Sequence, residues 1–293
     1  MLKQVLASIL GTRPGAAAGL GAGGARGTAG PDPAVELYLD LMKRCLTNAI
    51  HGDDTDLRTG VNRLDESTGK IVSVEGAAAD ADRKFFGAIW PSRAHTMIGM
   101  PRLDNLQHCV TDVIERGVPG DLVETGVWRG GATIFMRAIL KAHGIADRVV
   151  WVADSFEGLP ESNAGLHPYD HRLSLHKAAA LAVSLDEVRK NFERYGLLDD
   201  QVRFLKGWFR DTLPRAPIER LAILRLDGDH YESTMDALNA LYPRLSTGGY
   251  VIIDDYHVVE GCDRAIADFR AQQMISDEIF LIQGGGAWWR RGS

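Results

Sequence analysis

Cysteine is scarce, with three in 293 residues, and Cys45, Cys109 and Cys262 are far apart with no metal-ligand spacing between them. That argues against a disulfide framework and a thiolate metal site, and it fits a reducing, cytoplasmic setting. No apolar run approaches the roughly 20 residues of a membrane span, so a soluble chain is expected. No long basic block follows the start of the chain, and the formal net charge is -6, which excludes nucleic acid or an anionic membrane as the first choice of partner. A Walker-type lysine loop and a dinuclear histidine set are also missing, and the loop after the first strand of the α/β region has the spacing E-x-G-x-x-x-G in place of G-x-G-x-x-G. These absences count against phosphate-loop chemistry and against a pyrophosphate-bridged dinucleotide such as NAD.

What is present begins with residues 1–30, about half Gly and Ala with Lys3, Arg13 and Arg26 and no acid, which read as a flexible tail. Residues 31–118 read as a helical extension. "AVELYLDLMKRCLTNAI" carries apolar residues at helical spacing, the polar stretch from His51 to Asp82 reads as a loop, and "LDNLQHCVTDVIERG" is a second helix with Gly117 as its C-cap. From 119 to 293 the pattern changes to one α/β domain. The strand candidates "DLVETGV", "VVWVADS", "VRFLKG", "LAILRLDG" and "GYVIIDD" alternate with the helical segments "ATIFMRAILKAHG", "SLDEVRKNFERYG" and "STMDALNALYPRL". Ser184 and Glu187 form a capping box. "IFLIQ" and "AWWRR" close the chain as an antiparallel hairpin. Such alternation predicts a mostly parallel sheet with helices on both faces.

Open α/β sheets bind ligands at the carboxyl ends of their strands. The first strand exits into "ETGVWRGGAT", where Gly126, Gly130 and Gly131 suit a close backbone approach and the following helix offers free N–H groups. The second exits into "ADSFEGLP", where Asp154 is in position to accept hydrogen bonds from ribose hydroxyls. The pair suggests a nucleoside cofactor without a pyrophosphate, and S-adenosylmethionine fits. The fourth and fifth strands end in "LRLDGDH" and "VIIDDYH". If those strands are neighbours, about 4.8 Å apart, Asp227, Asp229, Asp254 and Asp255 form one cluster. Such a cluster repels itself unless a cation is present, and all-oxygen ligands favour Mg²⁺, Mn²⁺ or Ca²⁺. His230 and His257 lie close enough in sequence to serve as bases or ligands.

"LVETGVWRGGAT", "VADSFEGLP", "KGWFRDTLP", "LRLDGDHYEST" and "GGYVIIDDYH", together with "LYLDLMKRCLTN" and "TMIGMPRLDNL", closely resemble the macrocin O-methyltransferase (TylF-type) family over about Val35 to Arg291. The resemblance implies a Rossmann-like class I methyltransferase fold with seven strands. It also implies a Mg²⁺-dependent enzyme that methylates sugar hydroxyls of glycosylated natural products with S-adenosylmethionine. Carried onto these positions, Glu124, Thr125, Gly126, Arg129, Gly130 and Gly131 would hold the methionine part of the cofactor. Asp154, with Ser155 beside it, would hold the ribose, and Trp208 or Phe209 would wall the adenine. Asp227 would border the cofactor and, with Asp254 and Asp255, hold the metal, while Asp229 would be the general base. Thr96 to Gly99 would approach the cofactor and Tyr169 to His176 would cover the substrate. His230 stands where the family pattern has an apolar residue, which leaves open a share in proton transfer for it. A glycosylated small molecule as partner and a homo-oligomeric assembly complete the expectation. The competing classes are a metal-dependent hydrolase or phosphotransferase and a non-catalytic S-adenosylmethionine-binding protein.

Overall fold

A computed structural model describes residues 32–59, 61–65, 70–74, 78–161, 170 and 175–292. The tail at 1–30, and positions 169 and 171–174 of the segment expected to cover the substrate, lie outside them.

Helix α1 (Pro33–Leu46) turns Leu39, Met42 and Leu46 inward at helical spacing, as the apolar period requires. The stretch expected to be a loop contains a short antiparallel hairpin, β1 (Val61–Asp65) with β2 (Lys70–Val74), pairing Val61 with Val74, and the five-residue helix α2 (Ala81–Phe85) capped by Asp80. Two five-residue strands without a strong apolar run give little periodic signal, so the hairpin is invisible to pattern reading. Helix α3 (Gly99–Glu115) ends at Gly117, whose φ of 65° and N–H bond to Ile114 close the last turn.

The remaining strands are β3 (Asp121–Thr125), β4 (Val150–Asp154), β5 (Val202–Lys206), β6 (Leu221–Leu226), β7 (Leu245–Ile253), β8 (Phe280–Leu281) and β9 (Ala287–Arg290). They form one seven-stranded sheet in the order β5-β4-β3-β6-β7-β9-β8. The first five are parallel, and β9 runs antiparallel to both β7 and β8. The expected sheet and its antiparallel closing hairpin are both present. Strand direction of growth reverses at β3, with β4 on one side and β6 on the other, which creates a crevice at their carboxyl ends.

Side chains alternate across the strands, so each face builds its own apolar layer. Leu122, Tyr250 and Ile252 meet α1, α3, α4 (Gly131–Ala142) and α5 (Leu185–Arg194) on one face. Val123, Leu224, Val251 and Ile253 meet α7 (Tyr231–Leu241) and α8 (Glu260–Gln272) on the other. The sequence reading has no counterpart of α8. Its N-cap, Val259, makes no side-chain cap, so the helix lacks the usual polar start signal. The short helix α6 (Phe209–Thr212) follows β5.

Trp289 on β9 is fully buried between β7 and α8, with the Arg270 guanidinium 4.9 Å from its ring centre. Trp289→Ala is expected to cost about 3–5 kcal/mol through the cavity it leaves. The denaturation midpoint in urea checks this, and an unchanged midpoint would mean the closing strand is not part of the cooperative core.

Candidate active site

The register brings three strand ends together. Thr125 pairs with Leu226 and Leu226 with Ile253, so Gly126, Asp227 and Asp254 leave neighbouring strands side by side. They open on a cavity of about 590 Å³ lined by Glu124, Gly126, Asp154, Ser155, Trp208 and the four aspartates at 227, 229, 254 and 255. One carboxylate oxygen from each of Asp227, Asp254 and Asp255 lies within 4.8 Å of the others. Asp229 reaches this group by a left-handed backbone, φ 56°, which Asp tolerates. Its N–H donates to Asp255 Oδ2 at 3.0 Å.

A residue that pattern reading passed over organises these acids. Arg225 lies inside the fully buried strand β6 and is 1% exposed. Its Nη1 donates to Glu124 Oε1 and, at 2.8 Å, to Asp227 Oδ2, while Nη2 donates to Asp254 Oδ1. Glu124 is its register partner on β3. Arg102 of α3 approaches Asp254 from the extension, donating to Oδ2, while its Nε holds Ile98 O at 2.7 Å. The signal for Arg225 was a single charge within an otherwise apolar strand, since such a charge is buried only with partners.

Five carboxylates therefore face two guanidiniums. Burial, followed by the neighbouring negative charges, raises Asp227 to about 6 and Asp229 to about 7, and it lifts Asp255 well above the ordinary carboxylate range. Burial also raises Glu124 to about 8 against the opposing pull of Arg225. Burial alone would lower the Arg225 pKa, but Asp254, Glu124 and Asp227 outweigh it and keep the guanidinium charged. The uncompensated negative charge and an all-oxygen donor set fit a hard divalent cation at Asp227, Asp254 and Asp255.

The other side of the cavity is built around Asp154. Its Oδ2 accepts the Val127 N–H and its Oδ1 the Phe156 N–H, each at 2.7 Å, with Ser155 Oγ 3.4 Å from Oδ1, so the carboxylate clasps two loops where it borders the cavity. Ser155 Oγ donates to Gly158 O at 2.6 Å and closes the turn. Among the described residues Glu124 Oε2 is buried without a partner, and such an atom in a wall of the cavity leaves a hydrogen-bonding position for a ligand.

Not all expected cofactor residues line the cavity. Thr125, Arg129, Gly130 and Gly131 stand behind its wall. Arg129 stacks 4.1 Å over the Trp128 ring and donates to Pro91 O and Ala94 O, tying the extension to the loop. Protein backbone also crowds two of the glycines. A Cβ on Gly126 would stand 1.7 Å from Asp227 O, and one on Gly131 would stand 2.4 Å from His95 O. Of Thr96 to Gly99, Thr96, Met97 and Ile98 line the cavity. Phe209 lines it beside Trp208. His230 is 2% exposed and outside the lining, its Nε2 without a partner among the described residues and its pKa lowered by burial. His257 is exposed and bonded to Asp263. His176 belongs to a short 3-10 turn, Leu175–Lys177.

Comparison with known proteins points one way. The macrocin-O-methyltransferase (TylF) family profile matches residues 35–291. The chain is similar to the 8-demethyl-8-(2,3-dimethoxy-alpha-L-rhamnosyl)-tetracenomycin-C 4'-O-methyltransferase of Streptomyces olivaceus, at 57% identity over 88% of this chain and 94% of the relative. It is 52% identical to the mycinamicin III 3''-O-methyltransferase of Micromonospora griseorubida, over 89% of this chain and 98% of that one. Among solved structures, the O-methyltransferase NovP superposes with a TM-score of 0.80 at 48% identity, covering 88% of this chain and 100% of its own. The calicheamicin methyltransferase CalS11, at 17% identity and a TM-score of 0.53 over 94% of this chain and 100% of its own, shares the fold. Among the described residues no helix is long and apolar enough to cross a membrane.

Raised acid pKa values mean that the folded chain binds more protons than the unfolded one between about pH 4 and pH 7. Without a divalent ion, stability falls as pH rises through that window. A cation that binds the ionised acids reverses the loss, so Mg²⁺ is expected to raise Tm more at pH 8 than at pH 5. Thermal unfolding with Mg²⁺ and with EDTA at both pH values checks this, and equal gains at the two would contradict it.

Proposed function

We propose, from the premise that the chain belongs to the macrocin O-methyltransferase (TylF) family and is an O-methyltransferase, that it methylates a sugar hydroxyl of a glycosylated natural product. The methyl donor is S-adenosylmethionine, and the reaction depends on a divalent ion, Mg²⁺ being the expected one. The enzyme works as a cytoplasmic homo-oligomer, its N-terminal extension at 31–118 serving the methyltransferase core at 119–293. Family membership displaces the hydrolase and phosphotransferase alternatives. The observation that carries the reading is that a cavity bordered by Asp154 and an acidic cluster share one edge of one sheet.

S-adenosylmethionine supplies a methyl group activated by its sulfonium. Asp154, at the border of the cavity, accepts the ribose hydroxyls, and Glu124 faces the methionine end of the cofactor. Trp208 and Phe209 wall the adenine side. A divalent ion at Asp227, Asp254 and Asp255 would supply charge that makes a sugar hydroxyl easier to deprotonate. Asp229 takes that proton at its carboxylate as the oxygen attacks. An ordinary carboxylate near pKa 4 is a poor base for an alcohol, and the rise of Asp229 to about 7 brings it close to working pH. Its N–H bond to Asp255 keeps it beside the metal ligands, so acceptor and base are held together by one loop pair.

Incubation with labelled cofactor, Mg²⁺ and a panel of glycosides tests the reading. Because the tetracenomycin relative is named for a rhamnosyl substrate, rhamnosides lead the panel. The expected product carries one added methyl on a sugar oxygen, located by mass spectrometry and NMR. Asp229→Asn is expected to lower kcat by about 10²- to 10⁴-fold with cofactor affinity kept. A methyl found on an aglycone oxygen, or full activity after exhaustive chelation, would contradict the proposal.

A further inference from the structure

Helix α7 starts directly after the Asp227-Gly228-Asp229 turn, so whatever fixes its first turn also fixes Asp229. The residue at its N-cap, His230, makes no side-chain capping bond. The cap comes instead from a residue far away in sequence. Asp170 Oδ1 accepts the Tyr231 N–H at 2.7 Å and Oδ2 the Glu232 N–H at 3.4 Å.

Asp170 is 2% exposed, and its place is built from a second side as well. Its Oδ1 lies 2.3 Å from where a Cβ on Gly261 would stand, and Gly261 is the second residue of α8. One buried carboxylate therefore sits against the first turns of two helices, α7 following Asp229 and α8 following Asp255. Free N–H groups and the positive end of a helix dipole suit a carboxylate there.

If the helix needed only a cap, a local Ser or Asp at position 230 would provide it. A cap delivered by Asp170, which lies between β4 and α5 in the chain, does something further, because the one carboxylate meets the starts of both helices that follow the acids. Asp229 also holds a left-handed backbone conformation, φ 56°, which persists only when its surroundings hold it.

We propose that Asp170 is a positioning residue for methyl transfer, holding the starts of α7 and α8 in register so that Asp229 stays aimed at the cavity. The inference rests on the reading of Asp229 as the base. Its chemistry is that of an acceptor, so an amide in the same place retains one carbonyl oxygen for the Tyr231 N–H, whereas a methyl group retains nothing.

The test compares Asp170→Ala, Asp170→Asn and Gly261→Ala in the full chain, reading kcat, the acceptor KM, cofactor affinity by calorimetry, and hydrogen exchange at the Tyr231 and Glu232 amides. Asp170→Ala is expected to lower kcat by about 10- to 100-fold, as a small misplacement of a reacting group does, with cofactor affinity and acceptor KM unchanged. The two amides lose their protection in the same variant. Asp170→Asn restores most of kcat. Gly261→Ala, which pushes the carboxylate out from the other side, reproduces the alanine phenotype at a site with no polar group to lose. Wild-type kcat in Asp170→Ala would overturn the proposal, and so would a fall in kcat accompanied by an equal loss of cofactor affinity, the mark of a purely structural role. If the wild-type chain methylates no glycoside, the functional reading fails. In that case unchanged protection of the two amides in Asp170→Ala would separately overturn the cap.

Discussion

The guanidinium of Arg225 is the interaction on which the site depends. It is buried inside β6 and holds Glu124, Asp227 and Asp254 at once. At an effective dielectric near 20, two unit charges about 4 Å apart interact by about 4 kcal/mol, so three carboxylates around one cation are strongly held. Removing that cation would leave buried acids unpaired, a change that typically costs about 3–5 kcal/mol. Because β6 is the central strand between β3 and β7, the same contact sets how the loops after β3, β6 and β7 meet at the edge.

Arg225 and Arg102 do not balance the whole cluster. Asp227, Asp229 and Asp255 keep raised pKa values, which makes the edge receptive to a further cation. The extension takes part in this arrangement, since Arg102 of α3 reaches Asp254 and its Nη2 also donates to Gly87 O at 3.1 Å. The loop after β3, the acidic loops and the N-terminal segment are thus joined through a few directed contacts rather than through apolar packing alone, and the cap that Asp170 places on α7 extends that system to the turn carrying Asp229.

Much of this was legible in the sequence. Each of the seven sheet strands announces itself as an apolar run, and the acids at 227, 229, 254 and 255 sit where those runs stop. Their convergence follows once β6 and β7 are neighbours. What was not legible depends on tertiary partners. Arg225 looks like one charge in a strand until Glu124 and Asp254 stand beside it. Asp170 caps a helix whose first residues lie far along the chain, so no local pattern marks it. The glycines of the first loop suit a close backbone approach, and at Gly126 and Gly131 the backbone of Asp227 and His95 comes close. A sequence shows that a position needs a missing Cβ, but not what takes its place. The N-terminal hairpin and α8 were hidden for a simpler reason, having no strong apolar run and no capping residue respectively.

The central claim is that the acids gathered by Arg225 hold a divalent ion beside the cofactor. Anomalous diffraction from crystals grown with Mn²⁺ and S-adenosylhomocysteine tests it most directly. The account predicts one strong anomalous peak within bonding distance of Asp227, Asp254 and Asp255, with the nucleoside ribose on Asp154. A map with the cofactor in place and no peak at those three carboxylates would contradict it.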